Sequence, residues 1–259
     1  MIKCHYHFTK IAHRYRELRI TDLEPILFIK EKLQKHLRIV AADVGCGTGR
    51  YDELLFLHLG KKLYLYCIDV NKMMLLKLKE YLTGNGIKNF IPVNSIEKKI
   101  PIKDTVLDAV FTFNAIHHFN VVHFLRESTR ILKKGGYLFI YTRLRSQNKR
   151  NIWGRYFPLF YEKETRLYGL KELKKFIREQ PGLEIESLEY FKYARIDSLD
   201  KLLERARNCH YSTFYLYTKK EFEDSLKKFE LNIKKAFIDT NKVSWFDENI
   251  LLVVKKYST

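Results

Sequence analysis

The stretch Ala41-Ala42-Asp43-Val44-Gly45-Cys46-Gly47-Thr48-Gly49 constrains this chain more than any other. It follows the apolar run Leu37 to Val40 and leads into a segment that can turn helical, so it reads as strand, glycine turn and helix start. Glycine at alternate positions lets the backbone take positive φ and approach a ligand closely. The helix that follows offers N–H groups with no partner inside the helix. A nucleotide-like ligand suits such a turn.

Spacing separates this turn from others of similar geometry. The dinucleotide fingerprint asks for glycine or alanine three positions after the second glycine, where this chain has Arg50, and no GxxxxGK[ST] is present. Asp69 stands twenty residues after Gly49, at the end of a second apolar run from Leu63 to Ile68. A carboxylate there can accept hydrogen bonds from both hydroxyls of a ribose.

Two further motifs follow in order: Asp108-Ala109-Val110 with Ile116-His117-His118-Phe119, then Leu132-Lys133-Lys134-Gly135-Gly136-Tyr137. With the glycine turn and Asp69, they make the chain resemble the class I S-adenosylmethionine-dependent methyltransferases over about residues 8 to 142. The resemblance implies an α/β, Rossmann-like, doubly wound sheet of seven strands in the order 3-2-1-4-5-7-6, with helical cap insertions. It implies S-adenosyl-L-methionine as methyl donor and S-adenosyl-L-homocysteine as product. It also assigns roles: Asp43, Gly45, Gly47 and Gly49, with Cys46 and Thr48 between them, at the methionine end of the cofactor; Asp69 at the ribose, with Val70 and Met74 beside it; and Asn114 as the backbone turn beneath the methyl. Ser95 stands where relatives place an acid for the adenine amino group, and Ile96 is positioned to pack on the ring. Tyr15 matches an aromatic residue that closes over the cofactor, although a surface helix packing Ile11 and Tyr15 on the body reads equally well.

The resemblance also divides the chain. Residues 1–36 are expected to form N-terminal lid helices, with Thr21 as N-cap, Glu24 three residues on, and a helix running toward Gln34. Residues 37–142 form the cofactor-binding core, and 143–259 complete the same domain with two substrate-covering insertions, 143–170 and 198–240. Within the core, a helix over Met73 to Leu82, short strand Phe90 to Val93, strand Leu107 to Phe113 and strand Tyr137 to Thr142 follow from periodicity, with Lys133-Lys134-Gly135-Gly136 ending the helix that begins near Val121. Strands over Glu184 to Ile196 and Val243 to Lys255 suit the antiparallel edge pair of the family.

Composition sets the remaining bounds. A chain of 259 residues with 46% apolar content has ample core for one large domain. No apolar run approaches the roughly 18 to 20 residues that span a bilayer. The first residues carry no apolar signal segment, so the expectation is a cytoplasmic protein with no membrane insertion. Four cysteines without a CxxC pair suggest reduced thiols, and Cys4-His5-Tyr6-His7 lacks further ligands at suitable spacing, so no metal is expected. The net charge of +18 is spread: residues 1–142 hold 23 Lys and Arg against 13 Asp and Glu, and the remainder 25 against 17. Spread basicity names no particular partner.

The acceptor side is read from two places. His117 and His118, at the end of a predicted strand, could include a general base, or one of them could simply point inward. Arg143, Arg145, Lys149, Arg150 and Arg155 have no acid among them and are interleaved with Trp153, Tyr156, Phe157, Phe160 and Tyr161. Arg143, Arg145, Trp153 and Tyr156 are the candidate substrate contacts, since guanidinium and aromatic faces suit an anionic or planar molecule; a solvated loop is the alternative. The second insertion, with helical patterns over Leu199 to Arg207 and Lys219 to Phe237, could close the pocket or form a dimer interface. A small-molecule acceptor is the favoured function. A tRNA acceptor is the alternative, because Ile116-His117-His118-Phe119 and Leu138-Phe139-Ile140-Tyr141 are similar to the wobble-uridine carboxymethyl methyltransferases. A non-catalytic, cofactor-binding regulator is the third.

Overall fold

A computed structural model describes residues 9, 12, 13, 15, 16 and 19–257. The Cys4–His7 cluster and most of the lid reading over residues 8 to 19 lie outside the described residues. The apolar runs form β1 (Ile39–Val44), β2 (Leu63–Asp69), β3 (Phe90–Asn94), β4 (Leu107–Phe113), β5 (Leu132–Thr142), β6 (Leu183–Asp197) and β7 (Val243–Lys256). They assemble in the order β3-β2-β1-β4-β5-β7-β6, as the resemblance implied. The first five pair in parallel, which requires helical crossovers. Only β7 runs antiparallel, between β5 and β6.

Helices cover both faces. α1 (Glu24–Lys32), α2 (Arg50–Leu59) and α3 (Lys72–Gly84) bury Ile26, Ile29, Leu55, Leu78 and Leu82 against one face. α4 (Val121–Ile131) buries Phe124 and Leu125 on the other, and Leu173 and Ile177 join that face from a later helix, Leu170–Glu179. Short polar side chains start these helices by accepting orphan N–H groups: Asn71 Oδ1 from Met73 and Met74, Asn120 Oδ1 from His123.

Two readings need correction. Thr21 is not an N-cap: α1 begins at Glu24 behind Leu23, with no side-chain cap, and Thr21 Oγ1 instead accepts from Arg50 at 2.9 Å. Strand β5 begins at Leu132, directly after α4, rather than at Tyr137. The strand passes through Gly135, whose φ of +79 favours glycine, and Gly136, where a Cβ would sit 3.0 Å from Lys133 O and 3.1 Å from Asp108 O, so Gly136 permits a close backbone approach and neither glycine ends a helix.

The two insertions fold together. α5 (Arg145–Arg150), α6 (Ile152–Tyr156) and α7 (Phe160–Lys163) come from the first; α8 is the Leu170–Glu179 helix of the body; α9 (Leu199–Arg207), a 3₁₀ turn (Ser212–Leu216) and α10 (Lys219–Ala236) come from the second. Thr218 and Glu221 form a reciprocal capping box that starts α10. The cap has its own core, in which Trp153 stacks on Phe229 at 5.1 Å and touches Phe214 edge-on at 5.4 Å. It rests on an extension of the sheet: β7 pairs with β5 only as far as Ile250, whereas its pairing with β6 continues to Val243 opposite Asp197. The β6–β7 ribbon therefore overhangs the end of β5 and carries the cap over the carboxyl edge of the parallel strands. No helix among the described residues is long and apolar enough to cross a membrane.

Phe229 is fully buried, so Phe229→Ala leaves a cavity in the cap core and is expected to cost about 3–5 kcal/mol. Urea unfolding should show this as a lowered midpoint or as separate early melting of the cap; an unchanged curve would mean that the cap contributes nothing to the fold.

Candidate active site

The glycine turn is tied from below and from the side. Gly45 and Cys46 N–H groups donate to Ile68 O at 2.8 and 3.1 Å, at the end of β2. Asp69 Oδ2 accepts from Gly47 N at 2.9 Å and Oδ1 from Asn71 N at 2.8 Å, so one carboxylate fixes both the turn and the start of α3. Gly45, Gly47 and Gly49 all have positive φ. At Gly45 a Cβ would lie 2.5 Å from Ala115 Cβ, so only glycine fits between the turn and the loop after β4.

The sequence-predicted residues then divide. A cavity of about 380 Å³ opens above the turn and is lined by Tyr15, Gly45, Gly47, Asp69, Val70 and Met74, by Ser95 and Ile96 on the loop after β3, and by Asn114. Asp43, Cys46, Thr48 and Gly49 stand behind its wall instead. Cys46 belongs to the core, Thr48 is fully buried, and Gly49 makes room for Leu78 and Leu82. The Asp43 carboxyl interacts with that of Asp52 beneath the turn. Burial, then the Asp52 charge, lifts Asp43 well above the usual carboxylate range, and burial lifts Asp52 as well. Ser95 Oγ donates to Lys99 O at 2.6 Å, closing its own loop.

Tyr15 covers the turn, its ring 3.8 Å from where a Gly47 Cβ would be. Arg16 beside it donates to Thr48 O at 3.2 Å and lies 3.7 Å above the Tyr81 ring, which fastens this segment to the turn and to α3. Burial alone would raise the Tyr15 phenol; the guanidiniums of Arg19 and Arg50 bring it below its ordinary value.

A second cavity, of about 100 Å³, lies under the cap. Arg19, Asn114 and His117 line both spaces, so the two meet at the end of β4. Asn114 has φ +54 there, held by its N–H to Tyr141 O at 2.7 Å. Arg143 and Trp153 line the smaller cavity, whereas Arg145 and Tyr156 line neither. Arg145 lies over Tyr161 at 5.2 Å, and Tyr156 packs against Phe237 at 5.7 Å. Nor is the basic run of the first insertion uncompensated: Arg143 pairs with Asp247 at 2.9 Å and Arg150 with Glu248 at 2.5 Å, both on β7.

Sequence reasoning missed most of the smaller cavity's wall. Asp22 is buried, accepts from Tyr141 Oη at 2.7 Å and pairs with Arg195. Trp245, Asp247 and Asn249 join it from β7. Their alternation places them on one face of a strand, a signal that was available: polar side chains at period two in a run expected to be an edge strand.

His117 and His118 sit on a 3₁₀ turn with ring centroids 4.0 Å apart. Burial first, then Arg166, Arg19 and Arg143, hold His117 down to about 3; burial and His117 hold His118 well below its usual value. Neutral rings suit hydrogen bonding and orientation. A base titrating so low takes a proton poorly at neutral pH.

Residues 42–140 match the family model described as "Methyltransferase domain". The mouse protein "Probable tRNA methyltransferase 9B" is 27% identical over 117 residues, which cover 44% of this chain and 24% of that protein, so the match spans about a quarter of the curated relative's length. A candidate methyltransferase from an antibiotic biosynthesis pathway of Anabaena variabilis superposes with a TM-score of 0.67 at 18% identity, covering 91% of this chain and 98% of the other. A candidate methyltransferase from Bacillus halodurans does so with a TM-score of 0.64 at 20% identity, covering 92% and 99%.

The depressed histidine has a measurable signature. An unfolded histidine titrates near 6.5 and folded His117 near 3, so between these values the unfolded chain binds the extra proton and stability falls as pH falls. The Asp43–Asp52 pair works in the opposite sense, binding more protons folded than unfolded. His117→Gln removes only the first effect, and should lessen the loss of unfolding free energy from pH 6 to pH 5 by at most about 1.4 kcal/mol. Equal losses in both proteins would place the His117 ring in water.

Proposed function

We propose that this chain, whose residues 42–140 match a methyltransferase-domain family model, is a class I methyltransferase that binds S-adenosylmethionine in the larger cavity and passes its methyl group to a small molecule held in the smaller one. The observation that carries the reading is the junction of the two cavities at Asn114, His117 and Arg19. The larger cavity fits the cofactor: about 380 Å³ is in the range of small-ligand sites, with an acid at one strand end, open glycine backbone, and the apolar side chains of Ile68, Val70, Met74 and Ile96 for a base.

Bound there, the cofactor would supply a methyl already activated on a sulfonium, open to in-line displacement by an acceptor with the bonding pair returning to sulfur. The protein's part is placement. Asp69 is positioned to accept from the ribose hydroxyls, Gly45 and Gly47 to let the amino-acid end lie against backbone, and Tyr15 to exclude water above it. Asn114 directs the backbone away at the junction, leaving room for the acceptor to approach. Effective molarity from such placement supplies much of the acceleration.

The name of the curated relative supports a second reading, a tRNA acceptor. Arg145 and Lys149 beside Tyr161, outside both cavities, would then contact phosphate and base. The two readings part in one assay: the protein and methyl-labelled cofactor are incubated with a source-cell extract split into small-molecule and RNA fractions. Label is expected in the small-molecule fraction. Label in nuclease-sensitive material, falling steeply with salt, would establish the tRNA reading in its place.

Cofactor binding is tested separately by calorimetry with S-adenosylhomocysteine. Affinity in the micromolar range is expected, lost in Asp69→Ala and weakened by about 1–2 kcal/mol in Tyr15→Ala if that ring is desolvated against the ligand. No heat with the unaltered protein at high ligand concentration would end the methyltransferase reading.

A further inference from the structure

The smaller cavity concentrates buried polar atoms that the fold leaves without partners. Arg19 Nε, Arg143 Nε, Asn148 Nδ2 and Trp245 Nε1 are buried donors with no hydrogen bond among the described residues, and all four residues line this one space. Asn148 is itself 3% exposed. A buried donor left unmet is costly, so four on residues lining one cavity point to polar groups of a ligand, or water in its place, that meet them. His117 Nδ1, on the same wall, changes role with tautomer, and Asn249 Oδ1, whose amide is oriented by Nδ2 donating to Tyr141 Oη at 2.9 Å, is one unpartnered acceptor beside the four donors.

Charge points the same way. Five arginines line the cavity, of which Arg205 is paired with Asp197 at 2.8 Å outside it, against three carboxylates, Asp22, Glu164 and Asp247. Those carboxylates are engaged: Asp22 and Asp247 by Arg195, Asp247 also by Arg143, and Glu164 by Arg166 and by Thr213 Oγ1 at 2.6 Å. Among the described residues, no carboxylate lies within ion-pair distance of Arg19 or Arg50; Arg50 donates to Ile20 O and Thr21 Oγ1, both neutral. The donor set and the surplus positive charge both call for a ligand rich in acceptors and negative.

We propose that the smaller cavity is a carboxylate-binding acceptor site, in which Arg19, Arg143, Asn148 and Trp245 hold a small organic acid beside the junction with the larger cavity. This rests on the two-cavity reading above and narrows it: the methyl acceptor is a small carboxylic acid. About 100 Å³ of space suits a compact molecule rather than a nucleotide within a polynucleotide. The neutral histidines at the junction agree, because they leave an anion's charge to be met by guanidinium, indole and amide donors.

The test is calorimetry on the full chain saturated with S-adenosylhomocysteine, titrated at fixed ionic strength with acetate, benzoate and succinate and with the corresponding amides. At least one carboxylate is expected to bind, and its amide to bind at least about tenfold more weakly. Trp245→Phe removes a donor that serves no bond in the fold and should weaken the carboxylate about tenfold while leaving S-adenosylhomocysteine affinity unchanged. Arg143→Met should weaken it further; should that variant fail to fold because Asp247 is left unpaired, Trp245→Phe still decides. Amides binding as well as carboxylates, no carboxylate binding, or a Trp245→Phe protein indistinguishable from the parent would each overturn the proposal. Loss of S-adenosylhomocysteine binding in the parent would instead sink the methyltransferase reading itself.

Discussion

One carboxylate holds the larger cavity open. Asp69 accepts from Gly47 and Asn71, and its backbone oxygen accepts from Ser95 N at 3.2 Å and from Asn94 Nδ2 at 3.0 Å. The glycine turn after β1, the start of α3 and the loop after β3 thus converge on the end of β2. Asn71 extends the hub by capping α3 and donating to Thr9 Oγ1 at 3.0 Å, in the N-terminal segment. Charge-assisted bonds to backbone N–H groups are stronger than neutral ones, so Asp69 shapes the cavity whether or not a ribose is present. The same geometry explains why acid and glycine turn occur together: each positions the other.

The smaller cavity depends on a different device. A parallel sheet offers its carboxyl edge as a crevice, but a crevice is open to water. Here β6 and β7 run on past β5 as a ribbon, and the cap packs its aromatic core on that ribbon. Closing the crevice this way buries arginines, which is tolerated because Asp22, Asp247 and Glu164 neutralise part of the charge. The same burial strips His117 of its basicity.

The cofactor half was legible because its signals are local. Gly45 to Gly49 encode a turn, Asp69 ends an apolar run, and the strand order followed from resemblance in the motifs spread across residues 43 to 137. The turn also misled: Gly45 and Gly47 reach the cavity while Asp43, Cys46, Thr48 and Gly49 pack behind it. The smaller cavity was legible at Arg143 and Trp153 and, where it joins the larger one, at Asn114 and His117. Its other walls come from residues as distant in sequence as Asp22 and Asn249, joined through Tyr141 by hydrogen bonds of 2.7 and 2.9 Å. Contacts over such separations leave no local pattern, and helical periodicity in the cap reports its core rather than the face it turns to a ligand. Thr21 fits a capping motif by type and spacing, yet its hydroxyl serves Arg50 because α1 starts later.

The central claim is that donor and acceptor spaces meet at the end of β4, and a crystal structure of the protein with S-adenosylhomocysteine tests it most directly. The account predicts the ribose hydroxyls on Asp69, the sulfur beside Asn114 and His117, and an unobstructed path from that sulfur into the cavity lined by Arg143 and Trp245. A ligand whose sulfur is walled off from that cavity, or whose ribose lies away from Asp69, would contradict it.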